Sequence, residues 1–199
     1  MTARTGAVPM VEPALHGGRA SARYRQLAGW SNRQLDALWR DAPPATAAGM
    51  LDWEYIGWNT SPPGVKLVRL QKFSKGLFVA RNGDLYGFNT PLVQNGLGDP
   101  WIAKPDDADP DRWRFYKVGS GDPLGLGKQA LILDYSRGGN GPFRIYNRLV
   151  NYLVRVNPDN DDLVLGRAMG NLGRFSFRVN FFLLERHRRV RTRAQYLDR

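Results

Sequence analysis

Apolar and polar positions alternate most clearly in the last third of the chain. Along 175–186, Phe175, Phe177, Val179, Phe181 and Leu183 share one side, while Arg174, Ser176, Arg178 and Asn180 share the other. A period of two marks a β-strand with two different environments. Two strands precede it, over 149–156 and 163–169. The turn-forming run Asn157-Pro158-Asp159-Asn160-Asp161 separates them, and Gly170-Asn171-Leu172-Gly173 leads into the third. Further upstream, residues 76–81 and 84–88 flank Asn82-Gly83, the preferred pair for a two-residue type I′ hairpin. Strands are also predicted over 51–58, 65–73, 112–118, 129–135 and 143–146. The fold class expected is mainly β. It is an antiparallel meander of about 8–10 strands, by the spacing of turn signals, closing into a barrel that leaves no sheet edge exposed.

One helix stands out before the strands. Ser31 has N-cap chemistry, Gln34 completes a capping box, and Trp30 with Leu35 can form a hydrophobic staple. Leu35, Leu38 and Trp39 then share a face until Pro43-Pro44 stops the helix. The spacing predicts an amphipathic helix over 31–41 covering the open end of the barrel. The 94–111 connection, with three Pro and five Asp, is long enough to be a lid or an insertion. Its Asp106–Asp111 run lacks the central Gly and terminal Glu of a calcium loop, so no metal site is assigned. The 137–142 segment, Arg-Gly-Gly-Asn-Gly-Pro, is a flexible turn and not a phosphate loop, because no Lys-Ser/Thr follows.

Composition narrows the picture. The 199 residues fit one domain: an arm over 1–23, a barrel over 24–187 and a basic tail over 188–199. Without cysteine there are no disulfides, thiolate metal sites or Cys nucleophiles. No apolar run approaches a transmembrane length, and the first 30 residues lack a signal-peptide core, so a cytoplasmic protein is expected. The net charge of +11 sits mainly at the ends. Residues 1–40 carry six Arg against Glu12 and Asp36, and residues 174–199 carry eight Arg against Glu185 and Asp198. Nucleic acid or an anionic membrane is therefore a candidate partner through these Arg-rich ends alone.

Several segments resemble a bacterial family of unknown function named for its GxWxG motif. Trp53, Gly57 and Asn59-Thr60 are similar to its opening, and Asn89-Thr90-Pro91-Leu92-Val93 to its central Pro-Leu-Val segment. Leu133-Asp134-Tyr135 stands where that family has a Tyr-Asp pair. The segments 152–156, 165–169 and 181–186 look like its closing strands. The likeness spans roughly residues 50–187. It implies a calycin-like barrel, related in architecture to lipocalins and fatty-acid-binding proteins. It implies no activity, since the family has none assigned.

The chemistry must come from the residues. His16 falls in the expected arm and His187 in the expected tail, so a Ser-His-Asp relay or a His-based metal centre inside the fold is not predicted. Acid–base work falls to strand carboxylates and tyrosines, of which Asp134 and Tyr135 lead. Asp134 either faces inward, paired with Arg155 or Arg178, or points to solvent at a strand end. Binding suits the aromatic strands better. Trp53, Tyr55, Trp58, Tyr86, Phe88, Trp113 and Tyr116 would line an interior cavity, with Arg155 or Arg178 anchoring a ligand carboxylate. Three readings follow: a binder of a small hydrophobic or amphipathic molecule, a cofactor-free cyclase or isomerase, and a protein docking acidic surfaces through its ends. The first requires a cavity of roughly 300 Å³ or more.

Overall fold

The computed structural model describes residues 15–60, 70–122, 127–142, 144–172 and 175–190. Eight antiparallel strands form a closed barrel in sequence order: β1 (Trp53–Asn59), β2 (Lys72–Val79), β3 (Leu85–Pro91), β4 (Trp113–Gly121), β5 (Ala130–Asp134), β6 (Leu149–Arg155), β7 (Leu163–Leu172) and β8 (Phe175–Arg189), with β8 pairing back onto β1. Three helices precede them: α1 (Ala22–Ala28), α2 (Asn32–Asp41) and α3 (Ala47–Met50). The expected meander is present, and closure removes both sheet edges. Among the described residues no helix is long and apolar enough to cross a membrane.

Some predicted boundaries move, for physical reasons. Lys72, Phe73 and the 76–79 segment belong to one strand, because Gly76 is not a break. A Cβ there would stand 2.6 Å from the Phe88 ring, so the glycine serves close packing within the sheet. Residues 65–69 of the expected 65–73 strand lie outside the described residues. The β2–β3 hairpin forms, but its loop has three residues, Arg81–Gly83, of which Gly83 alone takes positive φ, at 83°. This is the longer hairpin class with glycine in the left-handed position. Of the expected strand over 143–146, residue 143 lies outside the described residues and Ile145 and Tyr146 belong to a 3-10 turn at Ile145–Arg148. β8 continues to Arg189, so His187 lies inside the barrel wall, 5% exposed, and not in a tail. Residues 1–14 and 191–199, which hold much of the expected arm and tail, lie outside the described residues.

The two faces of the strands carry separate clusters. Tyr55, Leu77, Tyr116, Leu133, Leu153, Val164, Phe182 and Leu184 point inward. Ile56, Tyr152, Val154, Leu165, Phe181 and Leu183 point outward and are covered by Tyr24 and Leu27 of α1 and Leu35 and Trp39 of α2. The Ser31–Gln34 capping box starts α2 as predicted. The helix nevertheless packs on the wall and not over an open end, because its apolar stripe meets the outward side chains of β6–β8. The end is closed instead by α3, whose Met50 is fully buried in the inner cluster. The 94–111 connection is a packed strap. Trp101, 4% exposed, meets Tyr24 and Trp58 edge-on at 6.1 and 6.5 Å, and Asp107 pairs with Arg188 at 3.0 Å.

One irregularity divides β8. Asn180 pairs with Ala168 and Arg178 with Met169, leaving Val179 as an extra residue in a β-bulge. The expected continuous apolar side is therefore split. Phe181 and Leu183 lie beneath the helices, while Phe175 and Phe177 are carried to the opposite side and exposed.

Candidate functional site

Inward-facing side chains fill the barrel from the α3 end to about its middle. Beyond that level a cavity of about 1010 Å³ opens toward the far end, well above the size required of a ligand pocket. Two glycines make room for its apolar wall. Gly57 lets the Phe73 ring cross the interior, and Gly166 does the same for Phe182, where an added Cβ would stand 2.1 Å from the ring. The two rings meet edge-on at 5.7 Å. Leu149 and Trp113 continue the wall toward the mouth, which Trp58 borders from its place against Trp101 on the outer face.

The deep end is polar. Lys75 points inward from β2, between Phe73 and Leu77, and is 2% exposed. Its Nζ donates to Asn89 Oδ1 at 2.8 Å and to Tyr135 Oη. Asn89 Nδ2 donates to Tyr135 Oη at 3.1 Å and to the Arg114 carbonyl at 2.8 Å, and Asn151 Nδ2 reaches the same phenol at 3.4 Å. All of these side chains line the cavity. Among the described residues no carboxylate lies within ion-pair distance of Lys75. Burial pushes its ammonium well below the ordinary lysine range, and the Arg114 charge adds to that. Four aromatic rings, with centroids 4.9–5.6 Å from Nζ, offset part of this cost through their π faces.

Arg114 is the second cation. It takes a left-handed backbone conformation, φ 47°, in the first turn of β4, and its guanidinium lies 3.8 Å over the Trp113 ring. Burial lowers its pKa, opposed by Tyr135 and Tyr146, and no carboxylate among the described residues pairs with it. Burial raises the Tyr135 phenol to about 12, although its bonds to Asn89 and Asn151 and the Arg114 charge act the other way. Three buried polar atoms on these walls have no hydrogen-bond partner among the described residues: Arg114 Nε, Trp113 Nε1 and Asn151 Oδ1. Such atoms are rare in folded proteins and costly.

Of the predicted site residues, Trp58, Trp113 and Tyr135 line the cavity, and Tyr116 lies just beneath it, its ring 5.2 Å from that of Tyr135. The others are elsewhere. Tyr86 and Phe88, expected inside, face outward in a cluster with Phe78 and Phe115. Tyr55 donates to the Asp161 carbonyl at the closed end. Trp53 lies at that end under Arg186 and Arg189, at 4.8 and 4.0 Å. The Arg155 amide donates to the Pro43 carbonyl there. Arg178 projects from the outer wall to Asp36 at 3.4 Å. Asp134 faces out of β5 and caps the next turn by accepting from the Ser136 amide and hydroxyl, so neither expected arginine pairs with it. Lys75, Asn89, Arg114 and Asn151 were not singled out by sequence. The available signal was the polar residue standing on an otherwise apolar alternation, as in Phe73-x-Lys75-x-Leu77 and Leu149-x-Asn151-x-Leu153.

Among known proteins, no family model matches the chain and no curated protein matches it.

Proposed function

We propose that the protein binds one small amphipathic molecule in the open half of the barrel. The apolar body lies against Phe73, Phe182 and Leu149, and an anionic, oxygen-rich head meets Lys75, Arg114 and Trp113. One observation carries this reading: two cationic side chains with no carboxylate partner among the described residues, and the unpartnered N–H groups of Arg114 Nε and Trp113 Nε1, converge on one cavity. An acidic head supplies the missing charge and accepts from the orphaned N–H groups. The reading keeps the expectation of a barrel-enclosed ligand and moves the anchor from Arg155 or Arg178 to Lys75 and Arg114. The kinship with calycin-like barrels implied by the GxWxG resemblance accords with it. A cyclase or isomerase has less support, because Asp134, the leading acid–base residue expected, lies outside the cavity.

Isothermal titration with a medium-chain fatty acid and the alcohol of the same chain tests the reading. The carboxylate should bind at least about tenfold more tightly, as expected for a charge-assisted contact of about 1.4 kcal/mol or more. Lys75→Met should abolish that preference while retaining the alcohol. Equal binding of both probes by the wild type, or no binding of either, overturns it.

A further inference from the structure

The rim of the cavity differs from the rest of the surface. The last β1–β8 pair is Asn59 with Phe182, yet β7 and β8 stay paired as far as Leu172 with Phe175. Beyond the wall they form a two-stranded ribbon standing above the mouth. A ribbon of this kind is marginal by itself in water. This one exposes Leu172 at 49%, Phe175 at 63%, Phe177 at 49% and Val179 at 43%. Gly170 pairs with both Leu149 and Phe177, so the turn that leads into β6 stands beside the ribbon. That turn presents Ile145, 84% exposed. Five of the eight large apolar side chains exposed among the described residues thus gather at one end of the barrel. Single exposed apolar residues are ordinary, but a contiguous group marks an interaction surface.

The connection nearest this group is basic. The β5–β6 connection places Arg137, Arg144 and Arg148 on the surface, none of them in an ion pair among the described residues. Its one carboxylate, Asp134, is engaged by Ser136. At the opposite end the β6–β7 connection carries Asp159, Asp161 and Asp162, of which Asp161 is buried against Thr46 and Asp162 pairs with Arg186 at 3.0 Å.

We propose that this rim docks onto an anionic lipid bilayer, with Phe175, Phe177 and Ile145 entering the interface and Arg137, Arg144 and Arg148 pairing with headgroups. Apolar insertion and basic attraction are each weak and reversible alone and add when combined. A second copy of the chain fits less well, because a two-fold contact would set the three guanidinium groups against their own counterparts. Docked this way, the mouth of the cavity faces the membrane, and an amphipathic molecule passes between bilayer and barrel without crossing water. The docking itself does not depend on what the cavity holds.

The test is co-flotation of the full-length protein with vesicles of phosphatidylcholine alone or with about 30% phosphatidylglycerol, an anionic fraction high enough for a strong surface potential. Binding to the anionic vesicles should exceed that to neutral ones by at least about tenfold and fall as salt rises. Phe175→Ser with Phe177→Ser, and separately Arg144→Glu with Arg148→Glu, should each lower it about tenfold or more while leaving the thermal midpoint near that of the wild type. Absence of binding to anionic vesicles overturns the proposal. So does binding that both double variants retain, which would place the contact elsewhere on the chain. Sedimentation equilibrium supplies the remaining outcome: a dimer lost on Phe175→Ser with Phe177→Ser, without vesicle binding, makes the rim a self-association surface instead.

Discussion

Glu54 and Lys75 stand on adjacent strands and are almost equally hidden, at 1% and 2% exposure, yet they face opposite ways and are treated oppositely. Glu54 faces out of the barrel beneath the strap. It accepts from the Ser74 and Thr90 hydroxyls and from Arg112, and its other oxygen accepts from Arg188 at 2.8 Å. Burial alone would raise its pKa, but Arg112 and Arg188 outweigh that and hold it below the usual carboxylate range. Lys75 faces in, has neutral partners only, and shares its surroundings with a second cation. A buried charge with its countercharges in place joins β1, β2, β3, β8 and the strap at Arg112. A buried charge without them leaves a debt of solvation that a visitor can discharge. Pairing, and not burial, separates a strut from a site here.

The largest effect should come from breaking the paired charge. Glu54→Gln removes the buried carboxylate between Arg112 and Arg188, leaving Arg188 only its bond to Asp107, and should cost about 3–5 kcal/mol in urea unfolding. A loss under about 1 kcal/mol would remove the distinction between the two residues. Next in size is an acid effect on the same outer wall. Burial, reinforced by Arg188, lowers the pKa of His187 to about 4, against 6.5 for the free side chain, with Glu54 and Asp107 opposing and His16 adding. Between those values the unfolded chain holds the proton and the native one does not. Stability present above pH 6.5 is therefore lost as pH falls toward 4, by on the order of 2–3 kcal/mol. His187→Gln should flatten that stretch of the stability–pH curve.

The smallest stability effect belongs to Lys75, and its sign is the informative part. Its native pKa lies below its unfolded value, so the unfolded chain binds the extra proton between the two. Wild-type stability should accordingly rise with pH up to the ordinary lysine range, relative to Lys75→Met. The variant should match or exceed the wild type at pH 7, by about 1 kcal/mol or less, since replacing a buried charge by an apolar side chain is often neutral or mildly favourable. A strong loss on Lys75→Met, measured by urea unfolding without ligand, would make the residue a strut like Glu54.

Much of the architecture was legible because it is written in local patterns. Ser31 and Gln34 sit three apart, as a capping box requires, and the alternation along β6 to β8 follows the pleat. The site was harder to read. Asp134 and Tyr135 are neighbours in sequence, so β5 sends them to opposite sides, and only the tyrosine reaches the cavity. Tyr86 and Phe88 have the same character as Trp58 and Trp113, but the parity of β3 turns them outward, against Phe78 and Phe115. Parity within a strand is set by register with its neighbours, which composition does not carry. Lys75 was missed because a lysine in an alternating strand looks like a solvated one until its face is known.

The bulge in β8 has a further consequence. Val179 is a single surplus residue, and it determines which way the tip of that ribbon looks. Were it taken into a regular ladder, with Val179 opposite Met169 and Arg178 opposite Gly170, the tip would turn over, sending Phe175 and Phe177 toward α2 and Arg178 over the opening. The molecule's greasy fingers and its outer clasp to Asp36 would trade places.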